Sequence, residues 1–150
     1  MIIISHRGNT RGPNPEFENH PSYVDQALLE HQVEVDIHCN NGEFWLGHDS
    51  PQYKINLEWL IKRKNKLWIH CKNISAAQIL SVYRKEEFNF FGHSNDKYVV
   101  SSNGYVLSIG CFVNNEKTII VMPEVFSVKL NSCFVGGVMT DYANEIQRLY

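Results

Sequence analysis

The sequence predicts an α/β protein, and three observations carry that prediction. Strand-like and helix-like segments alternate through the first 84 residues. Five more strand-like runs follow, with few gaps long enough to hold a helix. The chain has 150 residues, the usual size of one domain around one core. Such an alternation argues for a parallel sheet joined by crossover helices.

The elements follow in order. Met1-Ile2-Ile3-Ile4 is apolar and rich in β-branched residues, and reads as a buried strand. Residues 8–15, with their Gly, Asn and Pro, form a loop. A helix begins at Pro21-Ser22, where proline suits the first turn, and sets Tyr23, Val24, Ala27 and Leu28 on one face. Residues 33–37 are the second strand, extended by residues 43–46 after an Asn41-Gly42 turn. Asn56 can cap a short helix reaching Arg63, with Leu57, Leu60 and Ile61 inward. Residues 67–71 are a third strand, and residues 75–84 a helix with Ala76, Ile79, Leu80 and Tyr83 inward.

The second half is strand-rich: residues 88–91, 98–101, 105–109, 118–122 and 134–139. Asn103-Gly104 marks a hairpin turn, so an antiparallel pair is expected there. A last helix covers residues 143–149. Together these predict one domain over residues 1–150, a compact, trimmed TIM-type (β/α) barrel with helices mostly in the N-terminal half. A full barrel of this kind takes roughly 250 residues.

Composition narrows the function. Hydrophobic residues make up 43% and charged residues 20%, an ordinary globular balance. A net charge of -2 gives no basic footprint for nucleic acid or an anionic membrane. Phosphate binding would therefore rest on a few placed cations. No apolar run reaches spanning length, and the opening one is too short for a signal peptide. Cys39, Cys71, Cys111 and Cys133 are scattered without a C-x-x-C pair, and read as buried free thiols of a cytoplasmic protein. Their even number leaves disulfides open as the alternative.

Barrel enzymes gather their chemistry at the carboxyl ends of the strands. Here those positions hold His6-Arg7, then Glu34, Asp36 and His38, then His48-Asp49, His70 and Lys72, and His93. Glu34 and Asp36 lie two apart on one strand and so share a face. Adjacent carboxylates repel unless a cation lies between them, and a divalent metal is the simple explanation. The plainer alternative pairs one of them with Lys72 and leaves the other solvated. Arg7 can hold phosphate through two oxygens or form a surface ion pair. His93 and Glu124, at or near strand ends, are candidates to touch the organic part of a substrate.

Four ordered elements also carry a family resemblance. Ser5-His6-Arg7-Gly8, Glu18-Asn19, Glu34-Val35-Asp36 and Gly47-His48-Asp49 resemble the signature of the glycerophosphodiester phosphodiesterases. Gly137-Val138-Met139-Thr140-Asp141-Tyr142 resembles the closing strand and turn of that family. The resemblance implies a metal-dependent phosphoric diester hydrolase acting on a small soluble phosphodiester of the glycerol- or sugar-phosphate type. It puts the acid-base work on His6 and His48, the phosphate on Arg7 and Lys72, and the metal on Glu34 and Asp36. Imidazole suits either proton role near neutrality.

At the third strand the chain departs from the family. Where the family has Glu-x-Lys, this sequence has His70-Cys71-Lys72. With His70 as third ligand, preference tilts from Ca2+ towards Mg2+ first, and Mn2+ or Zn2+. Alternatively, His70 contacts the substrate. Asp141 is expected to fix the turn and cap the last helix. Three other functions stay open: a phosphate-ligand binding module without turnover, a cyclising phosphodiester lyase, and a metal-dependent hydrolase of another bond. No nucleic-acid or membrane partner is expected, and the sequence leaves the oligomeric state open.

Overall fold

A computed structural model describes residues 1–110, 114–132 and 134–150, with Arg84 and Ser132 described by their backbone alone. Strand β1 (Ile2–His6) leads through a loop to helix α1 (Pro21–Ala27) and strand β2 (Gln32–Asn40). Strands β3 (Glu43–Leu46) and β4 (Tyr53–Ile55) form a meander, and helix α2 (Leu57–Arg63) returns the chain to β5 (Leu67–Cys71). Helix α3 (Ile74–Val82) then precedes β6 (Phe90–Phe91). Strands β7 (Tyr98–Val100), β8 (Val106–Ile109) and β9 (Asn115–Val121) follow. Helix α4 (Pro123–Phe126), β10 (Val135–Thr140) and α5 (Ala143–Leu149) complete the chain.

The caps explain several boundaries. Pro21 opens α1 after His20. The Asn56 side chain accepts from the Trp59 N–H at 2.8 Å, and that of Asn73 from the Ala76 N–H at 3.0 Å. Tyr142 takes the N-cap position of α5 without a side-chain bond, so Asp141 does not cap that helix as the sequence suggested.

All ten strands join one mixed sheet. Strands β6, β5, β2, β1, β10, β9 and β8 run parallel in that order. The β7–β8 pair is antiparallel, as its turn predicts, and β3 runs antiparallel to the far half of β2. The sheet curls into an open half-barrel, which corrects the expected closed (β/α) barrel. Its two ends approach at Ser102, whose N–H donates to the Phe90 carbonyl at 2.8 Å. No ladder joins them among the described residues. The reason lies in the chain: β6 has two residues, and β7 folds back on β8 instead of adding a parallel strand.

Strand periodicity sorts the side chains. On β2 and β5, Val33, Val35, Ile37, Leu67 and Ile69 pack against helices α1 to α3 in the main core. The alternate residues turn to the concave face, where Ile4, Trp68, Leu107, Ile119 and Met139 form a smaller core. Towards the carboxyl ends of the parallel strands this concave face becomes polar. Cys39 and Cys71 are buried free thiols, and burial pushes the Cys71 thiol up to about 12. Cys111 and Cys133 lie outside the described residues. Among the described residues no helix is long and apolar enough to cross a membrane.

Candidate functional site

The parallel register brings the polar residues together. His6 is the partner of Glu34 across β1 and β2, and Asp36 the partner of His70 across β2 and β5. Glu34 and Asp36 are 2% and 0% exposed, and both point to the concave face with His70. One ligand atom from each of these three lies within 4.8 Å of the others, a set that can hold a metal ion.

Asp36 is the hub. Its Oδ2 accepts from the Asn19 amide at 2.9 Å and lies 2.9 Å from Arg7 Nε. Its Oδ1 lies 3.0 Å from His70 Nδ1 and 3.6 Å from Lys72 Nζ, yet has no aligned hydrogen-bond donor among the described residues. Burial works against charge on Asp36, but His70 and the Arg7 guanidinium outweigh it and hold this carboxyl below the usual range. Glu34 Oε1 lies 3.8 Å from the same His70 nitrogen. Burial, followed by the charge of Asp36, pushes the Glu34 carboxyl up. Two buried carboxylates and the His70 ring therefore offer ligand atoms close enough together to hold a divalent cation. Two oxygens and an imidazole are hard-to-intermediate donors, which Mg2+, Mn2+ and Zn2+ accept.

Arg7 has a left-handed backbone, φ 55°, uncommon for a residue with a side chain. The bend at the end of β1 turns its guanidinium towards Asp36 and Glu18, with Nη1 3.1 Å from Glu18 Oε2. Both Glu18 and Asn19, the loop pair noted in the sequence, thus serve as supports around Arg7 and Asp36. Of the two sequence readings of Arg7, the ion pair exists, though it is half-buried and internal to the site.

The two candidate acid-base histidines each hold a carboxylate on Nδ1. His6 Nδ1 is 2.8 Å from Asp141 Oδ1, which also accepts from the Asn9 amide at 2.8 Å. Burial disfavours a charged His6, but the Asp141 hydrogen bond and the charge of Glu34 overcome it and raise its pKa. His48 Nδ1 is 2.7 Å from Asp49 Oδ1, with Asp49 almost fully exposed. His48 follows Gly47, at φ 145°, where an added Cβ would collide with the Ser50 carbonyl oxygen. His38 Nε2 meets the Gly47 carbonyl at 2.9 Å, so His38 braces this loop.

One cavity of about 380 Å³ is lined by His6, Arg7, Glu34, His48, His70, Lys72 and His93. The His70 ring stacks against both Phe91 and His93, at centroid distances of 5.0 and 4.8 Å. Glu124 stands apart. Its Oε1 accepts from the Thr140 hydroxyl and the Asp141 N–H, each at 2.9 Å, and it lines another depression. Two residues of the site escaped sequence reasoning in their roles. Asp141 partners His6, and Asn9 ties Asp141 to Glu18. Their place beside a signature histidine and in the closing turn was the available signal.

Comparison with family models, with curated proteins and with solved structures found no match for this chain.

Proposed function

We propose that the chain is a metal-dependent phosphodiesterase of the glycerophosphodiester phosphodiesterase type, with His6 and His48 as its proton-transfer pair. One observation carries the reading: two histidines, each with Nδ1 held by a carboxylate, line one cavity with Glu34 and His70, whose ligand atoms form a metal-capable set with the buried Asp36. Diester cleavage needs a base for the nucleophile, an acid for the leaving oxygen, and positive charge facing the phosphoryl oxygens. In this reading each Nδ1–carboxylate contact fixes the imidazole and leaves Nε2 for proton transfer. Asp141 steadies the imidazolium that His6 becomes on gaining a proton.

A divalent ion at Glu34, Asp36 and His70, Mg2+ in first place, would polarise the phosphoryl oxygens. Lys72 adds a second positive charge at the same wall. Arg7 is engaged by Asp36 and Glu18, so its part is to organise the carboxylates as well as to face the phosphate. Water and a neighbouring substrate hydroxyl are equivalent nucleophiles for this pair, so hydrolysis and cyclisation share the same groups.

The test is phosphorus NMR of glycerophosphodiesters and sugar phosphodiesters incubated with the protein and Mg2+, Mn2+, Ca2+ or Zn2+. Cleavage with at least one metal is expected, reduced by about 10²- to 10⁴-fold in His6→Ala and in His48→Ala. Absence of cleavage under every condition would favour a binding module. Unchanged rates in both variants would defeat the acid-base assignment.

A further inference from the structure

We infer that the substrate of this site is amphiphilic, a phosphodiester one of whose two arms is an alkyl or similar apolar chain. The inference takes its phosphate half from the phosphodiesterase reading and its apolar half from the opposite wall of the same cavity.

From Val99 to Met139, every described residue lining that cavity is apolar. Part of this wall is ordinary core, because Leu107 and Met139 are buried with Ile4, Trp68 and Ile119. Another part lies outside both core clusters of the described residues. Ile109, Met122, Val125 and Phe126 line the cavity but belong to neither core cluster, and Val125 and Phe126 are 64% and 44% exposed. Apolar area left facing a polar site is a recognition surface, since it gains free energy when a ligand takes it out of water. A polyol arm laid on this wall would set hydroxyls against side chains that, among the described residues, offer no hydrogen-bond partner, at a cost for each one.

The wall is also built with care for shape. Gly110 has φ 70°, and a Cβ there would come within 3.1 Å of the Phe126 ring, which lies against the bare glycine. Met122 and Ser127 flank the single turn α4 with left-handed backbones, φ 50° and 54°. That turn holds Val125 and Phe126 beside the cavity. The phosphate-facing residues and the apolar residues thus form two halves of one cleft, matching the two ends of an amphiphile.

A series of methyl, butyl and octyl 4-nitrophenyl phosphates tests this, each kept monomeric and supplied with Mn2+. Hydrolysis adds water across the P–O bond and releases 4-nitrophenolate and the alkyl phosphate, so only the arm varies. Expected is a rise in kcat/KM of roughly two- to fourfold per methylene over the first carbons, and a smaller octyl-to-methyl ratio in Ile109→Asp. A flat or falling series with measurable turnover would overturn the inference and leave the phosphodiesterase reading standing. If no diester turns over, that reading fails instead, and binding decides the apolar arm. Octyl phosphate should then bind at least about tenfold tighter than methyl phosphate, with amide shifts at Ile109, Met122 and Val125. Equal affinities would overturn it.

Discussion

Replacing Asp141 with Asn isolates the charge that supports His6. The side chain keeps its shape and an oxygen able to face His6 Nδ1, now 2.8 Å away, while the negative charge is removed. A hydrogen bond to a charged partner contributes about 1.5–3 kcal/mol and a neutral one about 0.5–1.5, so the change should cost about 1–1.5 kcal/mol. For a domain of this size that is a fall in Tm of about 2–6 °C. The pH window follows from the signs. His6 is raised above 6.5 in the fold, so its contribution is complete below that value and fades as pH rises through the folded value. Burial pushes the Asp141 carboxyl up, but the His6 hydrogen bond and charge outweigh burial and lower it; its contribution is present above 3.8 and fades as pH falls through the lower folded value. Both shifts describe one interaction and do not add. Urea unfolding of both proteins at pH 5 and pH 8.5 should show a larger gap at pH 5, and the His6 ring proton should titrate at lower pH in the variant. A gap equal at both pH values, or larger at pH 8.5, would refute the charge-pair account.

Other expectations concern the metal set, the loop and the thiols. A divalent ion at 100 times its Kd should add about 2.7 kcal/mol, a Tm rise of about 5–11 °C, seen by scanning calorimetry and lost in His70→Ala. Gly47→Ala, which drives a Cβ into the Ser50 carbonyl and so shifts His48, should lower diester cleavage while the metal-induced Tm rise persists. A parallel loss of both would mean that His48 and the metal set are not separable. Asn73→Ala removes the α3 cap and both bonds to the Cys39 backbone, and should cost about 2–4 kcal/mol in urea unfolding. Cys71, pushed up to about 12, should resist iodoacetamide at pH 8 until the chain unfolds; rapid labelling of the native protein at that residue would contradict its burial.

The local grammar of this chain was legible. Proline at the start of α1, the asparagine cap on α2, and the Asn-Gly turns all mark elements that form where expected. Alternation on β2 set Glu34 and Asp36 on one face, and parallel pairing with β5 then had to bring His70 to them. Closure of the sheet was not legible, because it depends on distant pairing of strands two and three residues long. Strands β4 and helix α4 are too short to show a period. Asp141 looked like a cap because an aspartate before a helix commonly is one; its partner, 135 residues away, is chosen by β10 pairing with β1. The apolar wall was hidden for a similar reason. A continuous hydrophobic run reads as core, and only the fold tells which of its side chains stay uncovered.

In the proposed site a metal at Glu34, Asp36 and His70 lies beside a phosphorus reached by both His6 and His48. A crystal grown with Mn2+ and phosphate tests it through anomalous scattering. The manganese peak is expected among the Glu34, Asp36 and His70 ligand atoms, with phosphate beside it and reachable from both imidazoles. Manganese bound only at surface carboxylates, or phosphate seated outside this cavity, would contradict it.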